Sequence, residues 1–210
     1  MIADLSGYTA LTETHGALHA SEVVLRFGRI AEASLEPGVV IVDRVGDQVL
    51  CAGPDPLAVV RTALRLFVGV EREPNFLSMQ AGIHQGAVVE REGRLFGSPL
   101  NLTARIAAHA RGGQILCTEQ IARAALGISG LESRSIGERR FKNVSFPVVI
   151  YELVQSGRVA ELVIIDPVCR MQVEIEHAGA TIPYEGATYY FCSPECARLF
   201  SEAPERYLDP

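Results

Sequence analysis

Residues 42–50, VDRVGDQVL, lie between two apolar runs, and their reading decides the fold. The arms VVIV and QVLCA, flanking Gly46-Asp47, predict a β-hairpin with that dipeptide at its turn. An acid at such a place either makes the turn or holds a cation, so Asp47 stands open between the two. Asp43 raises a second question, because it is a charged residue in an arm that otherwise reads as core.

Upstream of the hairpin, Val23, Val24, Phe27, Ile30, Ala31 and Leu35 recur at helical spacing until Pro37-Gly38 ends the pattern. Downstream, Pro54 to Val70 reads as an amphipathic helix. FLSMQAGIHQGAVVE reads as a strand broken by glycines, followed by a turn at Glu92-Gly93. A helix from about Pro99 to Ala110 stops at Gly112-Gly113; QILCT is a short buried strand, EQIARAAL is helical, and RRFKNVSFPVVIYELV closes the region in strand pattern. This order predicts an α+β sheet domain with its helices on one face. The polar segment Gln155–Glu161 reads as a linker to a small second block that holds three of the five cysteines, a hairpin pattern and a short terminal helix.

Composition narrows the function. The chain has 210 residues, enough for one packed domain and a small second one, and a net charge of −6 argues against nucleic acid as a partner. No apolar run approaches the roughly 20 residues that span a bilayer, so a membrane is not expected either. An odd number of cysteines crowded toward one end fits a thiolate metal site in a reducing, cytoplasmic compartment better than a disulfide framework.

Three groups carry chemistry. In ADLSGYT, Asp4 ends a short apolar strand and Ser6-Gly7 opens a turn into a helix, which can offer backbone N–H groups to a phosphate while the acid binds a cation. Asp4 is equally readable as a helix cap. Two carboxylates converging from neighbouring strands, Asp4 and Asp47, are what a pair of Mg²⁺ ions needs to bridge a nucleotide's phosphates. In FGSPLNLTARI, Asn101 and Arg105 are four apart and project from one helix face, where an amide and a fixed cation can orient a ribose and neutralise charge at phosphorus, or simply meet solvent.

ADLSGYT, VGDQVL, GIHQG, FGSPLNLTARI, GGQILCT and FKNVSFPVVIYEL, as an ordered set, resemble the catalytic domain of class III adenylate and guanylate cyclases from residue 1 to about 154. The resemblance implies a ferredoxin-like α+β domain, dimerising head to tail with the active site across the interface. It implies attack of a ribose 3′-hydroxyl on the α-phosphate of a nucleoside triphosphate, ATP foremost, with two Mg²⁺ or Mn²⁺ ions per site. By that resemblance Asp4 and Asp47 fall on the metal-binding acids. Asn101 and Arg105 fall on transition-state residues supplied by the partner of a homodimer. The backbone around Leu5, Gly7, Tyr8 and Thr9 cradles the triphosphate.

Two departures stand out. The lysine and acid that select the base in that family align with Asp43 and Arg94, so both charges are reversed. If the two face each other, they form an ion pair without the purine-reading code, and selectivity is altered or lost. In addition, only three residues precede Asp4, and a central strand so short offers few ladder bonds; either the chain begins earlier or the acid is held less firmly. These features keep a second function in view, a non-catalytic cyclase-like module that binds nucleotide or dimerises.

In the second block, DPVCRMQV and YYFCSPECARLF set Cys169, Cys192 and Cys196 to converge as three soft ligands, suited to Zn²⁺ or another thiophilic ion. The block resembles a YHS domain, a treble-clef-like metal-associated module. Three thiolates are one short of a closed site, so His177 stands as a fourth candidate, or the fourth position is open to water. His15, His19 and His109 show no partner pattern; Cys51 and Cys117 read as core residues, and His84 as structural. The expected layout is a cyclase domain at 1–154, a linker at 155–162 and a YHS domain at 163–210.

Overall fold

The computed structural model describes residues 1–156 and 164–208. Most of the expected linker therefore lies outside the described residues; its first residue, Gln155, ends a strand, and the Ser156 amide that follows donates to the Gly130 carbonyl at 2.7 Å. No helix among the described residues is long and apolar enough to cross a membrane.

The first domain runs β1 (Ile2–Leu5), α1 (Tyr8–Ser34), β2 (Val40–Val45), β3 (Gln48–Ala52), α2 (Pro56–Glu71), β4 (Met79–Ile83), β5 (Val89–Arg91), β6 (Arg94–Phe96), α3 (Ser98–His109), β7 (Ile115–Thr118), α4 (Glu119–Ala125), β8 (Leu131–Arg139) and β9 (Val148–Gln155). Seven strands form one sheet in the order β2-β3-β1-β4-β7-β9-β8. Short as it is, β1 is paired on both sides, with Asp4 opposite Gln48 of β3 and Gln80 of β4. The hairpin of β2 and β3 turns at Gly46-Asp47 as its sequence predicts, with a register shift between Ile41 and Asp43 that bends the outer arm. The turn between β5 and β6 puts Glu92 and Gly93 both at positive φ, the conformation a two-residue hairpin favours.

Helix α2 starts where Asp55 accepts hydrogen bonds from the Leu57 and Ala58 amides and Pro56 supplies the first helical position. Its buried side, with Leu66 and Val70, joins Leu11, Phe27 and Ile121 against Ala3, Leu5, Ala81 and Cys117 of the sheet. The expectation that all helices share this face does not hold. Leu102 and Ile106 of α3 pack with Leu116, Val148 and Ile150, residues of the opposite face, because successive strand residues alternate between faces. Gly82 permits that approach: a β-carbon there would lie 2.4 Å from the Ala107 amide nitrogen, so α3 rests directly on the β4 backbone.

The edge strand β8 is a second difference, since LESRSIGER has no apolar alternation; it is held in the sheet by its antiparallel ladder to β9, and most of its side chains meet solvent or lie half-buried.

The tail comprises β10 (Ile164–Ile165), β11 (Gln172–Val173), β12 (Ala180–Tyr184), β13 (Ala187–Phe191), α5 (Pro194–Glu202) and α6 (Glu205–Leu208). Fully buried Phe200 is ringed by Tyr184, Tyr189, Phe191 and Tyr207 at centroid separations of 5.1 to 6.5 Å. The tail packs on the first domain: the Gln172 amide donates to the Phe76 carbonyl at 2.8 Å, Leu77 bridges to Met171, and Val168, Met171 and Phe200 share the core of α1 and α2.

Candidate functional site

Asp4 projects from β1 on the side away from Ala3 and Leu5, while Asp47 sits at the turn beside Gln48, the residue opposite Asp4 in the ladder. The two carboxyls lie near enough for each to feel the other's charge. Neither has an ion-pair partner among the described residues. Burial, and then repulsion from Asp47, pushes the Asp4 carboxyl up to about 7, and burial raises Asp47 as well. Two half-buried acids without a compensating cation fit hard divalent ions such as Mg²⁺ or Mn²⁺, whose oxygen-ligand preference they satisfy.

Immediately after Asp4, Gly7 adopts φ 96° and leads into α1, and no side chain caps the helix. The first amides of α1, which follow Asp4 in the chain, are therefore left without a side-chain acceptor and available to an anion. Gly7 is also required by packing, since a β-carbon there would lie 2.3 Å from Cβ of Arg170, a tail residue. Leu5 is buried in the core; Tyr8 is half-buried and Thr9 exposed.

Asn101 and Arg105 lie on the exposed face of α3, opposite its buried Leu102 and Ile106. Neither has a hydrogen-bond or ion-pair partner among the described residues, whereas Arg26 pairs with Glu73, Arg44 with Glu32 and Arg134 with Glu152. The Asp43–Arg94 ion pair does not form. Exposed Asp43 instead accepts from the neighbouring Arg44 amide at 2.8 Å, and Arg94 lies exposed at the β5–β6 turn, opposite Arg91.

The second cluster is complete within one chain. Cys169 and Cys192 sulfurs are 3.4 Å apart, and Cys192 and Cys196 sulfurs 3.6 Å. Nε2 of His15, from α1, lies 3.6 Å from the Cys192 sulfur and 3.4 Å from that of Cys196. All four donor atoms fall within 4.8 Å of one another. Zinc–sulfur bonds of about 2.3 Å and a zinc–nitrogen bond of about 2.0 Å in a tetrahedron space sulfurs about 3.8 Å apart and sulfur from nitrogen about 3.5 Å. These four spacings come within a few tenths of an ångström of that, and a disulfide at about 2.0 Å is excluded. The donor set thus fits a thiophilic ion.

Of the two alternatives for the fourth position, His177 or an open place, the described residues show neither. His177 is exposed and paired with Glu174 at 2.8 Å, and the fourth direction is filled by His15 rather than open. Sequence spacing could not join His15 to cysteines 177 and 181 residues away; the one usable signal was that three thiolates leave a tetrahedral site short by one. Asp166 was also missed as an organiser. Fully buried, it accepts from the amides of Val168 and Cys192 at 2.8 Å and of Cys169 at 3.3 Å, fixing both ligand-bearing loops. Ser193 caps α5 by accepting from the Cys196 amide. Hydrogen bonds from Cys169 and Cys196 pull the Cys192 thiol far below its usual range, while the same contact drives Cys169 upward. Cys51 and Cys117 are buried in the core, and His84 hydrogen-bonds Thr118 at 3.1 Å.

Known proteins resemble both regions. Residues 164–210 match the YHS domain. Over 155 residues, 72% of the chain, it is 32% identical to a pH-sensitive adenylate cyclase of Mycobacterium tuberculosis and spans 39% of that protein's length. The adenylyl cyclase CyaB from P. aeruginosa superposes with a TM-score of 0.62 at 22% identity, covering 75% of this chain and 93% of that one. The guanylyl cyclase Cya2 gives a TM-score of 0.60 at 24% identity, covering 76% and 92%. At such identities the structural likeness is one of fold. The chain therefore carries a domain of class III cyclase fold followed by a YHS domain.

Proposed function

We propose that this chain, a class III cyclase domain at 1–154 joined by a linker at 155–162 to a YHS domain at 163–210, is a nucleotidyl cyclase. It converts a nucleoside triphosphate, ATP foremost, to a 3′,5′-cyclic nucleotide and pyrophosphate across the interface of a cytoplasmic homodimer, with a metal-binding regulatory tail. The observation that carries this reading is the uncompensated Asp4–Asp47 pair beside the uncapped start of α1. An adenylate cyclase among its relatives supports ATP as substrate.

Each residue's task follows from its place. Asp4 and Asp47 hold two Mg²⁺ or Mn²⁺ ions, which when bound promote ionisation of the 3′-hydroxyl and neutralise phosphate oxygens. The backbone of Leu5, Gly7, Tyr8 and Thr9 donates to the triphosphate, aided by the positive end of α1. Asn101 and Arg105 face solvent in one chain, which suits contribution to a partner's site: the amide orients the ribose, and the guanidinium stabilises charge at phosphorus. Base selection falls to Asp43 and Arg94, which lack the family's charges.

That reversal also favours a second reading, in which the domain binds nucleotide or dimerises without turnover. Incubating the dimeric protein with Mn²⁺ and each of ATP, GTP, CTP and UTP, with mass spectrometry of the products, decides between them. One cyclic product supports the cyclase; several show that selectivity has gone; none supports the non-catalytic module.

A further inference from the structure

We propose that one thiophilic metal ion is held jointly by Cys169, Cys192 and Cys196 of the tail and His15 of the cyclase domain, and that its binding is positively linked to triphosphate binding at Leu5–Thr9. The linkage deepens the cyclase reading and rests on it; the ligand assignment stands alone.

The physical connection is short. Gly16 has φ 79° and ψ 166° and breaks α1, so residues 8–15 form a separate rod. One end of that rod is the phosphate cradle and the other is His15. A β-carbon at Gly16 would meet nothing within 4 Å, so its positive φ rather than close packing sets the break. The tail grips both ends: the sulfurs surround His15 Nε2, and Arg170, the residue after Cys169, lies over Gly7. Arg170 sits at φ 68°, a conformation a non-glycine residue keeps only where its surroundings enforce it; here the Arg170 amide donates to the Asp166 carbonyl, and Asp166 organises the cysteines. Arg170 also lines a cavity of about 250 Å³ with Ser6, Ser78, Arg111 and Gly112, so the metal loop places a cation next to the loop meant for phosphates. Ligation therefore fixes the rod and Arg170 together, and an ordered cradle binds triphosphate more tightly than one that must be ordered on binding.

The test uses the full chain. Co²⁺ is titrated into the wild type, His15→Ala, His15→Cys and His177→Ala, with visible spectra read, and Zn²⁺ affinity is measured against a competing chelator. His15→Ala should weaken Zn²⁺ by about 100-fold or more and change the Co²⁺ spectrum, whereas His15→Cys restores tight tetrahedral binding and His177→Ala behaves as wild type. Equal affinity in His15→Ala overturns the assignment, and the cysteine variant guards against mere misfolding. Binding of 3′-deoxy-ATP with Mn²⁺ is then compared between Zn²⁺-loaded and metal-free protein. Loaded protein should bind about fivefold or more tightly, and the analogue should tighten Zn²⁺ by the same factor. Equal or weaker binding by the loaded form overturns the linkage while leaving the cyclase reading; an analogue that binds neither form ends both, with the His15 result intact.

Discussion

The two clusters treat an ion in opposite ways. Asp4 and Asp47 offer oxygens, few in number, next to empty backbone donors, and the remaining polar groups of the proposed site sit on the exposed face of α3. Cys169, Cys192, Cys196 and His15 offer a full tetrahedron in one chain, with Asp166 fixing the loops behind it. An unfinished, charge-strained pair suits ions that arrive with substrate and leave with product, whereas a closed soft site suits an ion that stays. The difference separates chemistry from assembly, and it can be broken one cluster at a time.

The largest effect is expected from Asp47→Ala, which should reduce cyclic-nucleotide formation to background while leaving the tail's metal content unchanged; persistent turnover in the product assay breaks the two-ion assignment. Next comes Cys192→Ser, which removes the sulfur adjacent to all three other donors. Zn²⁺ binding measured against a chelator should fall by more than about 100-fold, with the melting temperature of the loaded protein lowered. Asp166→Asn should weaken the same metal by about 10- to 100-fold, because a neutral amide accepts less strongly from the three amides and adds a donor that none of them can accept.

The smallest effect concerns pH. Folding raises the Asp4 carboxyl from 3.8 to about 7, so its protonated form is the one favoured in the native protein. The stability it contributes is present at acid pH and is lost as pH rises through that window. A divalent cation relieves the repulsion, so Mn²⁺ should raise the melting temperature by a few degrees more at about pH 8 than at about pH 5. An equal shift at both would place the cation elsewhere.

Much of this was legible in the sequence, and the failures share a cause. The hairpin around Gly46-Asp47, the helix after Asp55 and the turn after Asp4 are written in neighbouring residues: paired apolar arms, a capping acid before proline, a glycine at positive φ. What escaped depends on residues far apart. β8 has a polar sequence and is a strand because β9 supplies its ladder. The face that α3 covers is fixed by the parity of Gly82 and Leu116 in their strands. His15 becomes a donor only because the tail folds back across α1. The reversed charges at Asp43 and Arg94 were visible, but the register shift between Ile41 and Asp43 in the same arm was not.

The central claim, a catalytic site completed by a second chain, is tested most directly by mixing two variants, Asp47→Ala and Arg105→Ala. Each should be inactive alone. Mixed dimers contain one site with both the acids and the guanidinium intact, so activity should return to about a quarter of wild type if subunits exchange at random. If subunits demonstrably exchange and the mixture stays as inactive as its parts, the site is not shared between chains.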